Sequence, residues 1–174
     1  MRRFFLPVLC TLVFVVSCKG ENKGSAHQAQ SEIIVEKADA ARVMQAVEQH
    51  RDSVVLLNMW AAWCEPCVEK FPVLVELHNK YSDKGLVIIG VSHDFEDRIE
   101  SDLIPFIRDQ KANFTHFVQN GQTAQDFIDG IDPEWSGVLP ATLIYDRMGR
   151  RAEYIPGMFD ATILEDIVIN LLDN

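Results

Sequence analysis

Thiols are scarce in this chain: it has four cysteines among 174 residues. A basic excess is also missing, with 16 Lys and Arg against 26 Asp and Glu and a formal charge of −10. That acidity argues against nucleic acid as a partner. Long apolar runs are absent apart from residues 4–16, which fall short of the roughly 20 residues that cross a bilayer comfortably. No internal repeat and no second domain boundary interrupts the sequence. What is present, 48% apolar and 24% charged residues, is ordinary for one domain with a sizeable core.

The N-terminal segment reads as a targeting signal rather than as part of a fold. Arg2 and Arg3 precede the apolar run, which ends in Val15-Val16-Ser17-Cys18. The small residue before Cys18 and the polar stretch after it resemble a bacterial lipobox, in which cleavage precedes a lipidated cysteine. An ordinary secretory signal cut nearby and a short uncleaved anchor are the other readings. The expected organisation is a signal peptide over 1–17, a lipid-anchored flexible tether over 18–34 and a folded domain over 35–174. Residues 19–32 are polar and small, and a flexible chain of that length spans roughly 20 Å. Loss of 1–17 removes Arg2 and Arg3, leaving 14 basic against 26 acidic residues and a formal charge of −12. Cys10 leaves with the signal and Cys18 carries lipid, so Cys64 and Cys67 are the thiol pair of the exported domain. No further thiol is left for a structural disulfide framework.

Cys64-Glu65-Pro66-Cys67 is a C-x-x-C motif, consistent with zinc binding or with redox chemistry. Residues 54–60 before it are continuously apolar except for Asn58, as in a strand buried on both faces. Residues 69–77 after it alternate as an amphipathic helix, and Pro66 suits the first turn of that helix. A dithiol at a strand-to-helix junction sits where a helix N-terminus stabilises a thiolate. Zinc takes four ligands, and no second cysteine pair or nearby histidine supplies them. The helix is expected to reach about Tyr81, with a kink or break near Pro72.

Elsewhere the patterns predict a helix over 38–49, a strand over 86–92, and a helix over 99–110 interrupted at Pro105. A strand over 113–118 and a short helix over 123–128 follow. A hairpin of strands 141–145 and 151–155 turns at Asp146-Arg147-Met148-Gly149, and a closing helix covers 161–172. The order predicts an α/β sandwich with a mixed sheet. Trp60 reads as core and Trp63 as the border of the active surface, while Trp135 suits either role. The five histidines (His27, His50, His78, His93, His116) read as surface or internally satisfied residues. The acidic groups at 94–97 and at Asp126, Asp129, Asp132 and Glu134 lack calcium-loop spacing and read as solvated loops. Asn113-Phe114-Thr115 matches a glycosylation sequon, which a bacterial lipoprotein would not use.

Two blocks of sequence resemble the membrane-tethered thioredoxin-like proteins of the TlpA/ResA type. The first is Asn58-Met59-Trp60-Ala61-Ala62-Trp63-Cys64-Glu65-Pro66-Cys67 with Phe71-Pro72. The second is Gly137-Val138-Leu139-Pro140-Ala141-Thr142-Leu143-Ile144-Tyr145-Asp146, then Gly149. The resemblance covers about residues 35–174. It implies a thioredoxin-like three-layer sandwich with helices on both faces of a mixed central sheet. It makes Cys64 the nucleophile, Cys67 the resolving thiol and Pro140 a cis-proline, with the Leu139 backbone pairing to a bound substrate chain. Trp63, Glu65 and Pro66 complete the substrate-facing surface. Thioredoxin itself has a buried aspartate at the position of Asn58, which cannot titrate. ResA-type proteins have glutamate at the position of Lys70, and cytochrome-maturation members of the CcmG type have glutamate at the position of Ala141.

The implied activity is thiol–disulfide exchange outside the cytoplasm, reducing exported disulfide-containing proteins, with cytochrome c maturation as one setting. No bound cofactor is expected, since the Cys64–Cys67 pair carries the electrons. A membrane electron donor would re-reduce it, because the periplasm is oxidising. Membrane attachment would run through lipidated Cys18, and the domain is expected to act as a monomer. Other readings are a peroxiredoxin-like thiol peroxidase, against which Ala61 stands where a T-x-x-C context needs threonine, and a redox-inactive tethered binding or chaperone module.

Overall fold

The computed structural model describes residues 33–121 and 123–174. The expectations for the signal segment, for Cys10 and Cys18, and for the tether up to residue 32 lie outside the described residues.

A single six-stranded sheet organises the domain. Its strands are β1 (Val35–Ala38), β2 (Val54–Trp60), β3 (Leu86–Ser92), β4 (Thr115–Gln119), β5 (Ala141–Tyr145) and β6 (Arg151–Pro156). They lie in the order β1-β4-β3-β2-β5-β6. The first four of that order run parallel; β5 pairs antiparallel to β2, and β6 antiparallel to β5, so β5 alone is reversed. Every residue of β2 is buried, because it is central and covered on both faces.

Strand alternation divides its side chains between two cores. Val54, Leu56 and Trp60 face α2 (Glu65–Tyr81), α3 (Ile104–Asp109) and α5 (Ala161–Leu172), through Phe71, Leu74, Ile107, Leu164 and Val168. Val55, Leu57 and Met59 face α1 (Ala40–Gln49) and α4 (Ala124–Ile131), through Val43, Val47, Phe127 and Ile131. The result is the three-layer α/β sandwich with a mixed central sheet that the sequence predicts.

Some boundaries differ from expectation. β1 was not anticipated: Val35-Glu36-Lys37-Ala38 is short, charged and only partly buried, as edge strands are. The helix expected from residue 38 therefore starts at Ala40, with the Asp39 carboxylate accepting the Arg42 N–H at 2.8 Å as its N-cap. α2 runs unbroken from 65 to 81 through Pro72. The missing N–H deprives only the carbonyl four residues earlier, and the buried row Cys67, Phe71, Leu74 and Leu77 holds the helix against the sheet. Pro105 does not interrupt a helix either. It falls in the first turn of α3, after a π-helical turn at Ile99–Leu103.

Two acidic residues assigned to solvated loops are buried instead, Asp94 and Asp132. Asp132 forms an ion pair with Arg151 at 2.7 Å, and the same guanidinium reaches Glu134. Neutralisation by one arginine is what allows that burial.

His116 is buried on β4, beside Gly90 of β3. Its Nε2–H donates to the Ala112 carbonyl at 3.0 Å, and its Nδ1 has no partner among the described residues. A Cβ on Gly90 would meet both His116 Nδ1 and Trp60 Nε1 at 3.3 Å, so glycine makes room for the two rings. Burial pushes His116 from 6.5 down to about 4. The unfolded chain takes up this proton near pH 6.5, whereas the folded chain does so only near pH 4. Stability from the neutral ring is complete above pH 6.5 and declines as the pH falls towards 4. The loss is on the order of 3 kcal/mol for this group. Urea unfolding at pH 7.5, 5.5 and 4.5 is expected to show that decline, and His116→Phe is expected to flatten it.

Candidate active site

The dithiol stands at the C-terminal end of β2, where the chain turns into α2. The Cys64 N–H closes a turn on the Ala61 carbonyl at 3.1 Å. Cys64 is the N-cap of α2 in an extended conformation, and its carbonyl accepts the first helical bond, from Val68 N–H at 3.0 Å. Pro66 lies in the first turn, where it forfeits no bond. Cys67 follows one turn in, which brings the two Cα atoms to 5.2 Å, and the sulfurs are joined in a disulfide. Both residues are largely buried, Cys64 7% exposed and Cys67 3%.

Local electrostatics pull in two directions. The positive end of α2 favours a thiolate on Cys64. Glu65, exposed in the same first turn, disfavours it. Lys70 lies farther along the helix and pairs with Glu69 at 3.5 Å, which offsets its charge.

Asn58 lies behind the motif on the α2-facing side of β2, between Gly90 of β3 and Thr142 of β5. Its amide donates to the Thr142 hydroxyl at 3.1 Å and to the Ala141 carbonyl at 3.3 Å. It is therefore a cross-strand tie rather than a proton acceptor.

The second expected block arrives by sheet pairing. Met59 of β2 lies opposite Ala141 of β5, so Leu139 and Pro140 reach the level at which β2 gives way to the motif. The Leu139–Pro140 peptide is cis. The Pro140 carbonyl accepts Gly157 N–H at 2.8 Å, and no hydrogen bond among the described residues engages the Leu139 backbone. The preceding loop is fastened by Trp135, whose indole N–H donates to the Val138 carbonyl at 3.0 Å. Trp135 is buried, which settles its role as packing. Gly137 adopts φ +83°, a conformation that favours glycine, and a Cβ there would have to displace the tip of the Ile128 side chain, whose Cδ1 would lie 2.6 Å away.

Trp60 is core, as expected, packing on Phe71 at 4.4 Å between ring centroids. Trp63 is 58% exposed beside Cys64 and stacks on Phe95, itself 67% exposed. Phe95 was not anticipated, nor was the residue before it. Asp94 is 7% exposed. Its Oδ2 accepts Ala62 N–H at 2.9 Å and the Ser92 hydroxyl at 2.6 Å. The Ser92 oxygen in turn accepts Asp94 N–H, and His93 N–H donates to the Trp60 carbonyl. The end of β3 is thus stapled to the segment that presents Cys64. Its only sequence signal was a serine two residues before an aspartate at a strand end, the pattern of a local side-chain turn. Among the described residues, no group of three or more His, Cys, Asp or Glu is placed to hold a metal ion.

Known proteins resemble this chain in sequence and in fold. The thiol-disulfide oxidoreductase ResA of Bacillus thuringiensis (strain Al Hakam) is 31% identical over 103 residues, covering 59% of this chain and 54% of that protein. ResA of Bacillus subtilis (strain 168) is 25% identical over 112 residues, covering 64% and 58%. The chain spans about half the length of the curated relatives it matches. A DsbF homologue from Corynebacterium diphtheriae superimposes with a TM-score of 0.57 at 25% identity, over 72% of this chain and 76% of that one. A secreted thiol-disulfide isomerase from Corynebacterium glutamicum shares the fold, with a TM-score of 0.62 at 20% identity, over 74% and 75%. The expected likeness to ResA is thereby shown, and the sandwich is of the thioredoxin-like type. Residues 32–150 match the model of the AhpC/TSA family, and the chain belongs to that family.

Proposed function

We propose that this protein is a thiol–disulfide oxidoreductase that reduces disulfides of exported proteins through Cys64 and Cys67. The observation that carries the reading is the Cys64–Cys67 disulfide at the mouth of α2, at the same end of the sheet as the cis Leu139–Pro140 edge. In the reduced state, the Cys64 thiolate attacks one sulfur of a partner disulfide. That S–S bond breaks, the partner's other sulfur leaves as a thiolate, and a mixed disulfide joins Cys64 to the partner. The Cys67 thiolate then attacks the Cys64 sulfur, the partner leaves with two thiols, and two electrons have passed from the domain. A partner strand would align along Leu139, with Trp63, Glu65 and Pro66 facing it. The disulfide is its own redox centre, so the cycle calls for no other cofactor.

Location and electron supply belong to the same proposal. The signal-like segment ending at Cys18 supports a lipid-anchored, extracytoplasmic protein, acting as a monomer and re-reduced by a membrane electron donor. Cytochrome c maturation is one setting, and Lys70 and Ala141 mark where this chain departs from that pattern. Peroxide consumption by the domain is disfavoured by Ala61 at the place of the threonine.

Cys67→Ser is expected to leave the attack intact and block release. Mixed disulfides should then accumulate on Cys64 in cells and be recoverable on non-reducing gels. Absence of any trapped partner under mild oxidation would sink the exchange mechanism. A reduction potential near −120 mV, that of a strong oxidant, would overturn the reductive direction.

A further inference from the structure

Asp94 is the buried acid that this site has and the reaction scheme above does not use. On the reading that Cys64 and Cys67 exchange disulfides, we propose that Asp94 is a positioning residue whose negative charge restrains the Cys64 thiolate and keeps the couple reducing.

Three observations carry the inference. The first is place. Asp94 Oδ2 is 2.9 Å from the Ala62 amide, and Cys64 follows two residues later in a turn closed on Ala61. With consecutive Cα atoms 3.8 Å apart, the carboxylate is on the order of 10 Å or less from the Cys64 backbone. The second is rigidity. Two bonds converge on one oxygen, from Ala62 N–H and Ser92 Oγ–H, and His93 N–H fixes the same segment to Trp60. The third is burial without a paired cation among the described residues. The ion pairs of Asp94's neighbours are Lys37 with Glu96 and Arg98 with Asp102, and none includes Asp94. A partly buried, unneutralised charge is screened less than an exposed one.

The other groups around this corner are accounted for. On α2, Glu65 adds a like charge and Lys70 is paired with Glu69. On the segment after β3, Asp97 is acidic and exposed. The His93 ring is pushed down by burial, which keeps it neutral near pH 7. β2 contributes no ionisable side chain, and neither does the Leu139–Pro140 edge. Asp94 is thus the fixed member of an acidic environment that opposes the dipole of α2. Thioredoxin's buried aspartate sits at the position of Asn58, beneath the helix. Here the buried acid approaches from the side of β3, next to the nucleophile's own loop.

Destabilising the Cys64 thiolate raises the free energy of the reduced form and shifts the couple towards donating electrons. Asp94→Asn keeps the shape and the acceptor oxygen for Ala62 and removes the charge. Its Cys64 thiolate fraction at fixed pH, read from alkylation rates between pH 5 and 9, is expected to rise three- to tenfold. The equilibrium constant against glutathione should move by the same factor towards the reduced domain, which at tenfold is about 30 mV. Ser92→Ala keeps the charge and loses one bond, and is expected to stay within twofold of the unaltered protein in both measurements. Normal exchange with Asp94→Asn within twofold of the unaltered protein would overturn this inference alone. A change in Ser92→Ala equal to that in Asp94→Asn would also overturn it, by making loop geometry the cause. Failure of all three proteins to exchange with glutathione would overturn the disulfide-exchange reading and this inference with it.

Discussion

Cys64→Ser is expected to reduce disulfide exchange by a factor of about 10³ or more, to the level of the uncatalysed reaction. Loss of a covalent nucleophile has effects of that size elsewhere, and a serine hydroxyl is a far weaker acid than a thiol and so supplies almost no anionic nucleophile. The measurement is reduction of a protein disulfide by dithiothreitol with catalytic amounts of the domain. Cys67→Ser should be as poor in turnover yet form the mixed disulfide, because attack and release use different sulfurs. Retention of the cellular phenotype by Cys64→Ser would make catalysis irrelevant to the protein's role and favour a tethered binding module.

Phe71→Ala is expected to be the most damaging single change away from the sulfurs, costing about 3–5 kcal/mol of stability. Phe71 is fully buried one turn beyond Cys67 and meets Trp60 at 4.4 Å, Phe106 at 5.0 Å and Phe114 at 5.9 Å between centroids. Those three rings belong to β2, α3 and the segment before β4, so no single neighbour's movement would fill the space. For a domain of ordinary stability, 5–15 kcal/mol, the loss is a large share of the total. Urea unfolding measures it directly. A cost below about 1 kcal/mol would show that the aromatic cluster does not anchor α2.

Residues differed in how far their sequence neighbourhood announced them. β2 and β3 were legible because a central parallel strand is apolar on both faces, and Pro66 announced the first turn of α2 for a local reason. The hairpin turn was equally local, through Gly149 at φ +74°. Cis Leu139–Pro140 was legible only through resemblance, since nothing in a lone Leu-Pro pair distinguishes the two isomers. β1 escaped because a short edge strand with two charges has no alternation to detect. Asp94 escaped for the opposite reason. In an Asp-Phe-Glu-Asp run it looks like its solvated neighbours, and its partner Ala62 lies 32 residues away in sequence. Asn58 shows the same limit, because its partner Thr142 is 84 residues distant. Contacts of that kind are decided by sheet register, which no local pattern encodes.

Because β1, β4, β3 and β2 all run parallel, they start at one pole of the sheet and finish at the other. Val35 opens β1 at the first pole, and Trp60 delivers the chain to Cys64 at the second. The described chain therefore enters the sheet on the side away from the sulfurs. The pole that carries the dithiol is left to the segments that follow β2, β3 and β4 and to the cis Leu139–Pro140 edge.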